Sequence, residues 1–443
     1  MIKHIKKLLS LAVNHPGLRK YGANMSWLFA EKMFRMIIGF TVGVYVARRL
    51  GPEKFGILNY AISFVAIFSC LISLGFDQIV VRELVKQPDR RDTLLGTVFM
   101  LRLAGFILML FGVTAGLAIS GNDWSTNLIV IVIAAGYLFQ IFQAIEVYFQ
   151  AKVLSKYIAI SQVIAWTIIS VFRALFAFWN VPLLYFAYLE VGNMLLTSVA
   201  YVISYYINGK AISKWVFERN VAKSLLKNSW PLFLAGITGV IYLRIDQVMI
   251  KSMLGDSDVG YYSVAVRLVE LWYFLPMVIC SAVFPAIIKA KEISEELYLM
   301  RLKKMFAIMF WLAIAIALPI SFFGKYIIFV LYGSEYSQAT PILMIYIWRT
   351  IFCFVGVASS SYLVSENLQK YSLIFSFIGA VVNVIMNYIL INQIGVTGSA
   401  WAALGTNLSI VYICPFIFRN TRELGHMAIK VVFPLDLIKK VET

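Results

Sequence analysis

Twelve charged residues sit inside stretches of sequence that are otherwise apolar enough to cross a bilayer. Seven are basic (Lys32, Arg35, Arg102, Arg173, Arg244, Arg267 and Arg349) and five are acidic (Glu31, Glu146, Glu190, Asp246 and Glu270). A charge at the bilayer centre costs at least about 2.5–3.5 kcal/mol, so each must face a partner or water. Twelve of them imply a hydrated interior cavity between helix bundles. The excess of cations suits a multiply anionic ligand, and arginine's planar fork matches phosphate oxygens.

Spacing sorts these residues. Glu31 and Arg35 stand four apart and can pair on one helix face. Arg244 and Asp246 are two apart, on nearly opposite sides of a helix, so at least one looks to another helix or a ligand. Arg267 and Glu270 form an i, i+3 pair, and Arg349 has no acid on its own span. Arg102, Arg173 and Glu146, near span ends, read as interhelical bridges or snorkelling side chains. Arg35, Arg267, Glu270 and Arg349 read as ligand or gating residues. Arg244 and Asp246 fit either role.

The elements that must position them are about twelve apolar stretches between residues 24 and 418, counted with the roughly 20-residue length of a spanning helix. About 27 of the 39 lysines and arginines lie in the termini and every second connector, against about five in the others. The positive-inside rule places those 27 in the cytoplasm, with both termini, and makes the number of spans even. The chain is 61% hydrophobic with mean hydropathy +0.83, more than a globular domain needs. Its net charge of +17 is explained by anionic lipid at the inner surface, so nucleic acid is not the expected partner.

The expected organisation is an all-α membrane protein. It has an amphipathic cytoplasmic N-terminus (1–23), an N-lobe of six spans (24–207), a basic connector (208–227), a C-lobe of six spans (228–418) and a cytoplasmic tail (419–443). No connector is long enough to be a domain. The longest outer one is about 324–340, and inner connectors 75–93, 208–227 and 289–299 can form surface helices. The outer side offers only scattered acids, which argues against a metal- or acid-catalysed enzyme. The four cysteines lie inside spans with no CxxC, and the three histidines lie near the ends, so neither a zinc site nor an intramembrane histidine relay is expected.

A weak repeat divides the chain. The stretch LGPEKFGILNYA from Leu50 is answered by LGDSDVGYYSVA from Leu254, with Leu, both Gly and the closing Ala coinciding about 204 positions apart. Each copy follows a Ser-Trp pair at the start of its half. An offset of six spans preserves direction, so the lobes are expected to be parallel repeats about an axis along the membrane normal, as in alternating-access carriers. The GxxxG spacings at Gly39–Gly43 and Gly112–Gly116 allow close helix approach. Pro231, Pro276 and Pro319 are expected to bend helices. Asn383 and Asn387 form a polar stripe suited to bonding a neighbouring helix. Asp77 is expected in a solvated amphipathic helix.

The stretch NMSWLFAEKMFRMIIGFTVGVYVARRLGPEKFGILNYAISFVAIFSCLISLGFDQIVVREL closely resembles the polysaccharide-biosynthesis flippases of the Wzx type. RIDQVMIKSMLGDSDVGYYSVAVRLVE is similar to the same family's other recognisable segment. The resemblance implies the multidrug/oligosaccharidyl-lipid/polysaccharide exporter fold, two six-helix lobes about a cationic cavity. It implies transport of an undecaprenyl-diphosphate-linked oligosaccharide, such as an O-antigen repeat unit, to the periplasmic leaflet of a bacterial inner membrane, and no enzyme activity. By position, Arg35, Arg244 and Arg267 would meet the diphosphate, with Lys32 and Arg349 behind them. Glu270, Asp246 and Glu31 would serve coupling or gating, with H+ or Na+ as the coupling ion and no other cofactor. Membrane lipid, and the polymerase and chain-length regulator of the same pathway, are the partners it suggests. The absence of an extra pair of spans departs from fourteen-helix lipid II flippases. A capsular glycan is the first alternative substrate. A multidrug cation exporter predicts an acid-rich cavity, and a membrane polymerase or acyltransferase predicts a larger outer loop.

Overall fold

The computed structural model describes residues 16–430. Residues 1–15 of the expected amphipathic N-terminus and 431–443 of the tail lie outside them. Among the described residues every regular element is helical. In chain order these are α1 Pro16–Ser73, α2 Asp77–Lys86, α3 Arg91–Ser120, α4 Trp124–Gly136, α5 Ala144–Ala151, α6 Ser155–Phe178 and α7 Leu183–Ile207. There follow α8 Arg219–Met253, α9 Asp256–Glu270, α10 Phe274–Ile293, α11 Glu295–Tyr332, α12 Ala339–Tyr346, α13 Arg349–Ser365 and α14 Gln369–Ile394. The chain then forms α15 Thr397–Leu408, a π turn Ser409–Ile413, α16 Cys414–Ile417 and α17 Arg422–Lys430.

Eleven helical stretches are long and apolar enough to cross a membrane. The first holds two of the expected spans, because α1 is broken at Gly51, whose φ of 72° lies where only glycine is unstrained. Twelve crossings therefore fit the helices. Large apolar side chains such as Phe111, Ile119 and Phe322 point outward, an arrangement that costs nothing in hydrocarbon. Helix starts follow local chemistry: Asp123 caps α4 by accepting from the Thr126 amide at 3.1 Å, and Ser294 caps α11 by accepting from Leu297 at 3.2 Å.

The connectors are shorter than expected because helices run on through them. The outer segment expected over 324–340 shrinks to the residues between Tyr332 and Ala339. α10 and α11 are separated by Ser294 alone, and α8 begins at Arg219, inside the expected basic connector. The surface helix expected in 75–93 is α2, which buries Ile79, Val80 and Leu84.

Contacts divide the chain into two compact units, residues 1–49 with 64–237 and residues 50–63 with 238–443. They cut the chain differently from the expected lobes. Residues 50–63, the start of the second span, belong with the C-terminal half, and the boundary falls within α8. The first unit packs around Phe76, Leu95, Val98, Ile145, Phe149 and Tyr205. In it, Gly112 and Gly116 of α3 lie against the rings of Phe68 and Phe64, the close approach their spacing anticipates. The second packs around Leu302, Phe306, Met309, Phe354 and Val355.

The break at Gly51 has a counterpart at Gly255, φ 120°, at the head of α9. Beyond these breaks the two repeats meet. A Cβ on Gly56 would overlap the Asp256 carbonyl, and one on Gly260 would overlap the carbonyl of Pro52. Each glycine of one repeat thus rests on the backbone of the other.

Candidate functional site

In the second unit the charged residues lie on α8, α9 and α13, and α14 adds the asparagines Asn383 and Asn387. Asp246 is 3% exposed. Its carboxylate accepts from the Tyr262 hydroxyl at 2.6 Å and from Asn387 Nδ2 at 2.7 Å. Asn387 is where the polar stripe of α14 meets a neighbouring helix, as its spacing with Asn383 predicts. Both amide atoms of Asn383 and the Asn387 oxygen are buried without a hydrogen-bond partner. Beside Asp246, Gln247 accepts from Ser63 at 2.8 Å.

The Tyr262 ring meets Tyr346 edge-on at 5.7 Å. Tyr346 in turn accepts from Arg349, whose other terminal nitrogen donates to the Tyr242 hydroxyl at 2.9 Å. Both tyrosine rings lie under the guanidinium, at 5.1 and 5.2 Å. Arg349, with no acid on its own helix, is therefore housed by phenols and aromatic faces.

Arg267 lies over the Phe55 ring at 5.2 Å and donates to Asn59 at a long 3.5 Å. The i, i+3 pair expected with Glu270 does not form. Glu270 is half-buried and makes no side-chain hydrogen bond or ion pair among the described residues. Spacing allowed the pair, but Arg267 turns to the residues after Gly51 instead. Arg244 is half-buried and likewise makes no hydrogen bond or ion pair among the described residues, on the side of α8 away from Asp246.

In the first unit the charges are mostly paired. Arg35 is ion-paired with Glu31, which is 4% exposed, and stands over the Trp166 ring at 5.8 Å. Arg173 covers the same ring at 5.3 Å and donates to Glu190 at 2.6 Å. Arg102, 1% exposed, donates to Asp77 at 2.6 Å, to the Gln140 carbonyl at 3.1 Å and to Gln143 at 3.3 Å. These are the interhelical bridges expected for Arg102 and Arg173. Asp77, expected to be merely solvated, is the anchor of one. Glu146 accepts from Tyr201 and from Gln150, both at 3.1 Å. Lys32 is exposed and makes no hydrogen bond or ion pair among the described residues.

This unit holds a partly open cavity of about 170 Å³ lined by Arg35, Gln140, Gln143, Gln162, Asn193 and Tyr201 among others. Gln140 and Gln143 reach it from a 3-10 stretch, Tyr137–Gln143, set between α4 and α5. A 3-10 helix eclipses residues three apart, so both amides share one line. Charge counting overlooked this lining and the tyrosines around Asp246 and Arg349, since neutral side chains leave no charge asymmetry. The available signal was the set of glutamines within otherwise apolar spans.

The family described as polysaccharide biosynthesis protein matches residues 21–291, and a second, MatE, matches 231–389. The first spans more than half of the sequence, and the chain belongs to the polysaccharide biosynthesis protein family. It is 25% identical over 205 residues to the probable low-salt glycan biosynthesis flippase Agl15 of Haloferax volcanii, covering 44% of this chain and 43% of that one. It is 20% identical to the capsular polysaccharide biosynthesis protein CapF of Staphylococcus aureus, over 85% of this chain and 94% of the relative. An inward-facing multidrug resistance MATE family transporter superposes with a TM-score of 0.72 at 15% identity, covering 89% of this chain and 95% of that one. Lipid II flippase MurJ in an inward closed conformation superposes at 0.69 and 15%, over 95% and 93%. The fold is that of these transporters, and the protein is a multi-pass membrane protein.

Proposed function

We propose that this protein is a flippase that moves a lipid-linked glycan unit across the membrane without covalent chemistry. We further propose that the substrate is an undecaprenyl-diphosphate-linked oligosaccharide, an O-antigen or capsular repeat unit, turned from the cytoplasmic to the periplasmic leaflet of a bacterial inner membrane. A diphosphate cannot enter hydrocarbon unshielded. Cationic side chains in a wet interior replace its hydration while the polyprenyl tail stays in lipid. The protein exposes that interior to one leaflet and then to the other.

The observation that carries this reading is Arg244, a half-buried guanidinium within a membrane-spanning helix with no ion pair among the described residues. Its cost is offset by an anionic ligand. Arg267, backed by Phe55, and Lys32 are the next candidates. Arg35 and Arg349, already held by Glu31 and by phenols, would engage the diphosphate by exchanging those partners. For ion coupling the best seat is Asp246, because three amide atoms of Asn383 and Asn387 beside it are unpartnered. The two amide oxygens suit Na+ and the Asp246 carboxylate suits H+, and Glu270 and Glu31 are the further gating candidates.

The test is reconstitution of the full chain into vesicles carrying a labelled polyprenyl-diphosphate oligosaccharide, scored by access of the label to an external quencher. Wild type should equilibrate the leaflets, and Arg244→Ala should slow this by about tenfold or more for a lost charge-assisted phosphate contact. No flipping by wild type rejects the function; full rate in Arg244→Ala rejects the site. The MatE match favours a second reading, export of cationic drugs. It requires acids to exceed cations in the spans, the reverse of this sequence, and ethidium efflux by the same vesicles would reveal it.

A further inference from the structure

The cavity of the first unit is lined mostly by neutral side chains, although an arginine reaches it. Arg35 brings the only formal charge among the lining residues and is already ion-paired with Glu31. The remaining lining is amide and hydroxyl, with the Trp166 ring and Met194 beside them.

The orientation of one amide is fixed by a chain of hydrogen bonds. Gln162 Nε2 donates to the Tyr201 hydroxyl at 2.8 Å, and that hydroxyl donates to Glu146 at 3.1 Å. A carboxylate only accepts, so the chain runs one way and leaves Gln162 Oε1 as a free acceptor. Gln162 Oε1 and Asn193 Oδ1 are both buried and have no partner. Two orphan acceptors in one cavity call for a ligand that donates. A diphosphate has no hydrogen to give. A sugar hydroxyl donates and accepts, so it can meet these oxygens and the side-chain amides of Gln140 and Gln143 together.

Size narrows the ligand further. A volume of 170 Å³ holds about six waters at roughly 30 Å³ each, which suits one sugar ring. The seven-residue 3-10 stretch is longer than such stretches usually run, and a mid-span 3-10 segment often marks a functional position. Here it delivers two amides to the cavity.

We propose that this cavity is a sugar subsite that receives one uncharged ring of the transported glycan. The inference rests on the flippase reading for the identity of the cargo, but the subsite can be tested without transport.

Glucose, galactose, mannose, N-acetylglucosamine and inorganic diphosphate would each be offered to the detergent-solubilised full chain, with binding read by saturation-transfer NMR. At least one neutral sugar should bind. Gln162→Leu and Asn193→Leu, with elution volume and melting temperature confirming the fold, should each weaken that binding by about tenfold for one lost hydrogen bond. Gln140→Ala serves where either variant fails to fold. Arg244→Ala should keep the sugar and slow flipping. Binding of none of the four sugars, leaving a merely hydrated cavity, overturns the proposal, as does unchanged binding in the variants. Sugar binding lost in the variants, with no flipping by wild type, rejects the flippase reading and keeps the subsite. Flipping without sugar binding does the reverse.

Discussion

Gly56 and Gly260 occupy equivalent positions of the internal repeat, and each lies against the other repeat's backbone, Gly56 on Asp256 and Gly260 on Pro52. The two glycines, and their contacts Pro52 and Asp256, are each separated by the interval of the sequence repeat itself. The contact is reciprocal, and no side chain larger than hydrogen fits at either position.

Gly56→Ala and Gly260→Ala should therefore each destabilise the protein by about 1–3 kcal/mol, the range for overpacking. Gly236→Ala and Gly239→Ala make good controls. A Cβ at either position meets nothing within 4 Å, and alanine gains up to about 1 kcal/mol in helix propensity. Melting of the purified variants would show the contrast. Equal melting temperatures for all four would mean that the crossing is looser than described.

The bridge between Arg102 and Asp77 should respond unequally to removal of its ends. Arg102 is buried, whereas the Asp77 side chain is 45% exposed. Asp77→Ala strands a buried cation with only Gln140 and Gln143 for company, and should cost about 2–3 kcal/mol after allowing for those bonds. Arg102→Leu leaves an aspartate that water can reach and should cost about 1 kcal/mol. Denaturation in detergent would rank them. The opposite order would mean that the carboxylate, not the guanidinium, is the buried partner.

Tyr242→Phe removes one acceptor from Arg349 while keeping the aromatic face beneath it. Interhelical bonds of this kind contribute about 0.6–1.7 kcal/mol in membranes, so a modest loss of melting temperature is expected. A collapse of folded yield would assign the hydroxyl a far larger role.

Asp246→Asn keeps an acceptor for Tyr262 and Asn387 but no charge. The protein should fold, and its flipping should no longer change when a Na+ or proton gradient is imposed across the vesicle. A gradient response equal to wild type would remove Asp246 from coupling.

Much of this was legible from residue types alone. Charge asymmetry revealed the spans and hydropathy their number, although helices run farther into the connectors than apolar runs indicate. The repeat LGPEKFG and LGDSDVG was visible in the sequence, but the break and the crossing that its glycines permit were not drawn from it. The Glu31–Arg35 pair followed from spacing, and so did the opposition of Arg244 and Asp246. Spacing misled at Arg267 and Glu270, where the arginine turns to Asn59, a residue 208 positions away in sequence. The tyrosines at Asp246 and Arg349, and the amides lining the cavity of the first unit, were invisible to charge counting. Their roles come from which helices meet, and a single sequence does not show that.

The wound-up stretch from Tyr137 to Gln143 carries one more implication. A 3-10 coil climbs about 2.0 Å per residue where an α-helix climbs about 1.5 Å. Seven residues thus hold roughly 3.5 Å of extra length, and slackening into α geometry would shorten the strut and swing Gln140 about 60° out of line with Gln143. The alignment of the two amides and the reach of the pillar that presents them are one degree of freedom: neither can alter without the other.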